Sequence, residues 1–166
     1  MSKAFTSEET EDEAPRGRTL PRAGELRPIT RDGKAALEAE LRAVQRELGA
    51  LNQAAGGGAR KKSAAQEDLA RREELLSATL ATVVEKGPPT DLSRVAFGCI
   101  VEVENERGVR VAYQLVGPDE TDARTQKISI GSPLGLALQG QAVGDEIEFE
   151  RPRGSELLTI RAIRRR

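Results

Sequence analysis

The chain has 166 residues, 37% hydrophobic and 32% charged, with 26 basic and 27 acidic side chains and a formal net charge of −1. That length allows one ordinary domain or two small ones, and the charge content suits solvated helix surface better than a single deep core. A charge this close to zero gives no global pull toward nucleic acid or membrane, so any electrostatic function falls to local clusters.

The only aromatics are Phe5, Phe97, Tyr113 and Phe149, and there is no tryptophan. This argues against an aromatic-lined ligand pocket and against base-stacking platforms. Histidine is absent and Cys99 is the single cysteine, set in an apolar run that predicts a buried structural thiol. An internal disulfide is impossible, which fits a reducing cytoplasm. Without histidine, triad hydrolysis and His-ligated zinc are disfavoured. The chain is therefore expected to be no enzyme, with no catalytic residue, no metal site and no cofactor. Its first residues lack the apolar stretch of a signal peptide, and no run of about 18 apolar residues occurs, so no membrane association is expected.

In chain order, residues 1–28 predict a disordered acidic tail. Glu8, Glu9, Glu11, Asp12 and Glu13 cluster there, and Pro15, Gly17, Pro21, Gly24 and Pro28 then block regular structure. Residues 29–86 predict an antiparallel helical hairpin. Thr30 is the expected N-cap of its first helix, with Asp32 favourably placed in the first turn. Gly33 occupies the position where a capping box has Glu, so the box is incomplete. Leu37, Leu41, Val44, Leu48 and Leu51, spaced 4, 3, 4 and 3, form a coiled-coil seam. Gly56, Gly57 and Gly58 end the pattern, because three glycines lose too much backbone entropy inside a helix. A second helix is predicted from about Lys61 to Glu85, with Ala65, Leu69, Leu76, Leu80 and Val83 facing the first seam and a weak position near Arg72 or Glu73. Each arm of about 25 residues gives a hairpin roughly 35–40 Å long.

Gly87, Pro88 and Pro89 stop the second helix, and residues 87–93 read as a linker. Residues 94–166 predict a small α+β domain. Strand-like runs fall at 95–103, 110–116, 126–130, 146–150 and 157–163, with Glu102, Glu104, Glu146, Glu148 and Glu150 alternating with apolar residues. Residues 105–108 read as a hairpin turn, and Ser132-Pro133 opens a short helix.

This arrangement resembles the bacterial GreA/GreB transcript-cleavage factors over residues 29 to 163. Thr30, Gly33, Leu37, Glu40 and Leu41 are similar to the family's opening T-x-x-G-x-x-x-L-x-x-E-L. Phe97-Gly98, Val101, Tyr113 through Gly117, Asp119-Glu120 and Asp122 then follow in family order. Ile128 through Pro133, Ala137-Leu138 and Val143-Gly144-Asp145 continue it. The resemblance implies an FKBP-like C-terminal domain, built on a small antiparallel sheet with a short helix. It also implies bacterial RNA polymerase as the partner, and the chain is expected to be a monomer. Gly131, Ser132 and Pro133 would dock on the rim of the polymerase secondary channel while the hairpin enters it. Family members often carry Asp or Asn where this chain has Gly131.

The family's cleavage-competent tip resembles G-D-x-S-E-N-A-E-Y, and its acids help hold a second catalytic Mg²⁺ in the polymerase. A hard cation requires carboxylate oxygens. Residues 54–62 here read A-A-G-G-G-A-R-K-K, with no carboxylate and three cations. Glu67 and Asp68, the nearest acids on the second helix, lie about 10 Å below Arg60 at ~1.5 Å per residue. The chain is therefore expected to modulate transcription without efficient transcript cleavage. The tip residues Gly57, Gly58, Arg60, Lys61 and Lys62 are candidates for contact with acidic groups, RNA or DNA. Arg161, Arg164, Arg165 and Arg166 form a second basic cluster, simplest as a solvated terminus. Two other readings stay open: a cleavage-stimulating factor using Glu67 and Asp68, and a coiled-coil adaptor or FKBP-like prolyl isomerase unrelated to polymerase. The isomerase would need more aromatics than Phe97, Tyr113 and Phe149 provide.

Overall fold

The computed structural model describes residues 21–22, 25–54, 56, 62–151 and 154–166. Most of the expected acidic tail thus lies outside the described residues. Its last residues do not continue as tail: Arg27–Ile29 form strand β1, with Arg27 and Ile29 buried.

Helix α1 spans Arg31–Ala54 and α2 spans Ala64–Thr82. Thr30 caps α1 as expected, its Oγ1 accepting from the Gly33 N–H at 3.0 Å. The seam of α1 turns Leu37 and Val44 fully inward and Leu41 partly, against Leu76, Leu69 and Leu80 of α2. The α2 seam differs from the sequence reading at its start, because Ala65 is exposed and Gln66 is buried instead. Polar chemistry explains the exchange. Gln66 completes a capping box with Ser63 and donates from Nε2 to Asn52 Oδ1 at 2.8 Å, clasping the far end of the hairpin. The weak seam position is bridged by an ion pair, Arg72 to Glu40 at 2.7 Å.

The predicted second helix also ends early. Its last residues, Val83–Glu85, form strand β2, parallel to β1 with Arg27 opposite Val83 and Ile29 opposite Glu85. Adjacent Val83 and Val84 are β-branched and favour extended backbone, and the partner strand comes from the segment read as tail.

The rest of the chain forms a mixed five-stranded sheet of order β5-β4-β3-β7-β6, with β3 Cys99–Asn105, β4 Arg110–Val116, β5 Lys127–Ser129, β6 Glu146–Arg151 and β7 Gly154–Arg165. Helix α3, Pro133–Leu138, is the predicted short helix. The architecture is the expected α+β hairpin-plus-sheet, with one refinement: β5 runs parallel to β4, so the sheet is not purely antiparallel. The reversal is made in residues 117–126, two 3₁₀ turns ending at Gln126 in left-handed backbone (φ 56°). The first predicted strand loses its opening residues because Gly98 adopts φ 82° and turns the chain. The turn at 105–108 forms with Asn105 Oδ1 accepting from the N–H groups of Arg107 and Val109. Cys99, Val101, Leu115, Leu138 and Ile160 make the core, and Cys99 is buried as expected. No described helix is long and apolar enough to cross a membrane.

Candidate functional site

Gly131, Ser132 and Pro133 follow β5 and open α3. Ser129 organises the loop: its Oγ accepts from Gly131 N–H at 3.1 Å, and its carbonyl accepts from Ser132 N–H at 3.0 Å and the Ser132 hydroxyl at 2.7 Å. Ser132 Oγ then caps α3 by accepting from Gly135 N–H at 3.1 Å. Pro133, at the first helical position, loses no hydrogen bond there. Gly131 and Pro133 are exposed and Ser132 is half-buried, so a tightly bonded backbone presents a small rigid knuckle. Glycine is not sterically required at 131, where an added Cβ would meet only Ser129 Oγ at 3.6 Å. At Gly135 it is required, since a Cβ would lie 2.0 Å from the Ser129 carbonyl oxygen. The exposed Leu136 and Val143 are apolar side chains in the same part of the chain.

Of the predicted tip, Gly57, Gly58, Arg60 and Lys61 lie outside the described residues. Lys62 is exposed and immediately precedes the α2 cap Ser63. Glu67 and Asp68 are exposed in the first turns of α2. Among the described residues, no group of three His, Cys, Asp or Glu side chains could hold a metal ion.

The basic C-terminus is not simply solvated. Residues up to Arg165 belong to β7, and the cations are engaged across the sheet. Arg161 meets Glu104 at 2.7 Å, Arg164 meets Glu102 at 2.8 Å, and Arg110 bridges both acids. Arg165 donates to the Thr90 carbonyl, and Arg166 reaches Asp32 of α1 at 3.2 Å. Hydrogen bonds from Arg161 and then Arg110 hold the Glu104 carboxyl below its ordinary value. A lowered folded pKa means that the stabilisation is fully present above the unfolded carboxylate range and is lost as pH falls through the folded value. Glu104→Gln is accordingly expected to remove part of the acid-side slope of a melting-temperature profile below about pH 4.5. An unchanged slope would show that these exposed pairs contribute nothing measurable.

The junction between the hairpin and the sheet has no counterpart in the sequence pattern. Arg27 and Asp119, 92 residues apart, form a buried ion pair at 3.0 Å. Glu120 reaches Thr30 at the start of α1, and Gly117 packs so tightly that a Cβ there would lie 1.9 Å from the Pro28 carbonyl oxygen. The only signal in the sequence was the glycine interrupting the α1 capping box.

The described chain is thus a two-helix hairpin joined at its base to a small sheet domain with an exposed Ser-Pro loop. The family described as "Transcription elongation factor, GreA/GreB, C-term" matches residues 89–165. Transcription elongation factor GreA of Rhodospirillum rubrum is 32% identical over 151 residues, covering 82% of this chain and 96% of that protein. Transcription elongation factor GreB of Yersinia pestis is 36% identical over 151 residues, covering 83% and 88% respectively. The solved GreA/GreB factor from Nitrosomonas europaea is 25% identical, with a TM-score of 0.42 over 84% of this chain and 98% of that one. The chain belongs to the GreA/GreB family of transcription elongation factors.

These relatives correct one expectation. The expectation of no enzyme rests on the lack of histidine and of a catalytic set. The relatives are named transcription elongation factors GreA and GreB, and that finding overturns the expectation. A plain exclusion from enzymatic chemistry therefore does not stand. Residue types within one chain report on that chain's own side chains, not on the process in which it takes part.

Proposed function

We propose that this protein binds bacterial RNA polymerase as a monomer in the cytoplasm and modulates transcription without efficient stimulation of transcript cleavage. In this reading residues 94–166 are the docking domain, with the Gly131–Ser132–Pro133 knuckle on the rim of the secondary channel. The hairpin of residues 29–86 enters the channel, and the segment 87–93 joins the two.

One observation carries the loss of cleavage: residues 54–62 contain no carboxylate and end in Arg60, Lys61 and Lys62. The tip does not fit a Mg²⁺ ion, because a hard cation needs anionic oxygens and cations repel it. Glu67 and Asp68 are exposed on α2, beyond its Ser63 cap and so set back from the bend. A cationic tip instead suits RNA phosphate, DNA phosphate or acidic side chains.

Purified core polymerase tests the reading in two stages. The protein is expected to co-purify with core enzyme and to be displaced by an authentic GreA or GreB; no association would end the proposal. On backtracked complexes it is expected to leave cleavage near the factor-free rate, and robust cleavage at low protein concentration would favour Glu67 and Asp68 as displaced acids. Replacing Arg60, Lys61 and Lys62 together by Ala is expected to weaken any effect on RNA synthesis. If the effect persists undiminished, the tip charges have no part in it.

A further inference from the structure

An α-helix leaves its first backbone N–H groups without intrahelical partners, and a capping box pairs two of them through an N-cap hydroxyl and a Glu or Gln at the third helical position. In α1 the hydroxyl is present as Thr30, but the third position is Gly33. The missing carboxylate arrives from the other domain. Glu120 Oε1 accepts from the Thr30 N–H at 2.8 Å, and Glu120 Oε2 accepts from the Thr30 hydroxyl at 2.5 Å. The same Oε1 also accepts from Gly117 N–H at 3.1 Å, fixing the side chain to its own turn. Gly33 is bare because the carboxylate fills its side-chain space: a Cβ there would lie 1.9 Å from Glu120 Oε2.

We propose that Glu120 is a positioning residue: it completes the α1 capping box from the C-terminal domain and thereby sets the angle of the hairpin to the sheet. The lever is long. α1 has 24 residues, about 36 Å, so a 10° tilt at its base moves the far end by about 6 Å. The surface that docks and the joint that aims the tip are separate, so binding and effect are separable by mutation. The functional half of this inference rests on the polymerase-docking reading above; the mechanical half does not.

The test uses the full chain with spin labels at Gln53→Cys and Glu106→Cys. Both positions are exposed, and the native Cys99 is fully buried. The parent chain is expected to give one narrow interlabel distance distribution. Glu120→Ala removes an acceptor of three hydrogen bonds, and the latched population should fall about tenfold relative to open orientations. Glu120→Gln keeps an oxygen for the two N–H donors and should stay close to the parent. Should Glu120→Ala fail to fold, Gly33→Ala reads the same joint by displacing the carboxylate. An unchanged distribution in whichever of the two folds overturns the proposal. With polymerase, Glu120→Ala is expected to bind within about twofold of the parent while its effect on transcription falls about tenfold; a parallel loss of binding would overturn the separation of docking from aiming. If the parent chain does not bind polymerase, the docking reading fails, and the distance distributions alone decide the joint.

Discussion

Asp119→Ala is expected to destabilise the protein by about 3 kcal/mol, because it leaves the Arg27 guanidinium buried without its deepest partner. The two side chains are 8% and 4% exposed and meet at 3.0 Å. Arg27 keeps a second, more exposed partner in Glu25 at 3.2 Å, which places the cost at the lower end of the range for broken buried pairs. For a chain of this size the melting temperature should fall by about 6–12 °C. High salt should rescue little of the loss, since buried pairs are weakly screened. Arg27→Met combined with Asp119→Leu should recover much of it, because well-packed apolar residues often replace a buried ion pair at no net cost. Thermal melts of the two variants check both statements; a single variant as stable as the parent would show that the pair does not hold the junction.

Gly135→Ala is expected to damage stability and docking together. The added methyl would lie 2.0 Å from the Ser129 carbonyl oxygen and 3.0 Å from the Ile130 Cα, both backbone atoms that cannot rotate away. α3 must then move off the knuckle whose hydrogen bonds to Ser129 and Ser132 set the shape of residues 129–133. Overpacking of this kind costs about 2–3 kcal/mol, or roughly 5–10 °C in melting temperature. Polymerase affinity should drop about tenfold if the displaced knuckle is the contact. Native-like stability with lost binding would point to a purely local contact at α3. Lost stability with intact binding would remove Gly131–Pro133 from the docking surface.

The helices, the short helix after Ser132 and most strand positions were legible in the sequence because their determinants are local. Leucine spacing, Thr30 and Ser132 as caps, and the glycine and proline stops all act within a few residues. The family was legible for another reason: its motif residues run in order along residues 29–163. Three features of the secondary structure were not legible. Gln66 replaced Ala65 in the α2 seam through a bond to Asn52, 14 residues away. Val83–Glu85 left the helix to pair with Arg27–Ile29, and β5 joined β4 in parallel through the turns at 117–126.

Residue type and spacing alone specify a helical hairpin, an α+β domain beyond it, and a glycine-rich, cationic segment between the helices that carries no carboxylate. These follow from residue type and short-range periodicity, which act on the chain wherever it lies in space. How the two parts meet is set by contacts between residues far apart in the chain. The gap left by Gly33 and the acid that fills it are 87 positions apart as numbered, Gly33 to Glu120, and no local rule connects them. They come together because a helix end must satisfy its N–H groups from any acceptor within reach, and folding brought that acceptor from the other domain.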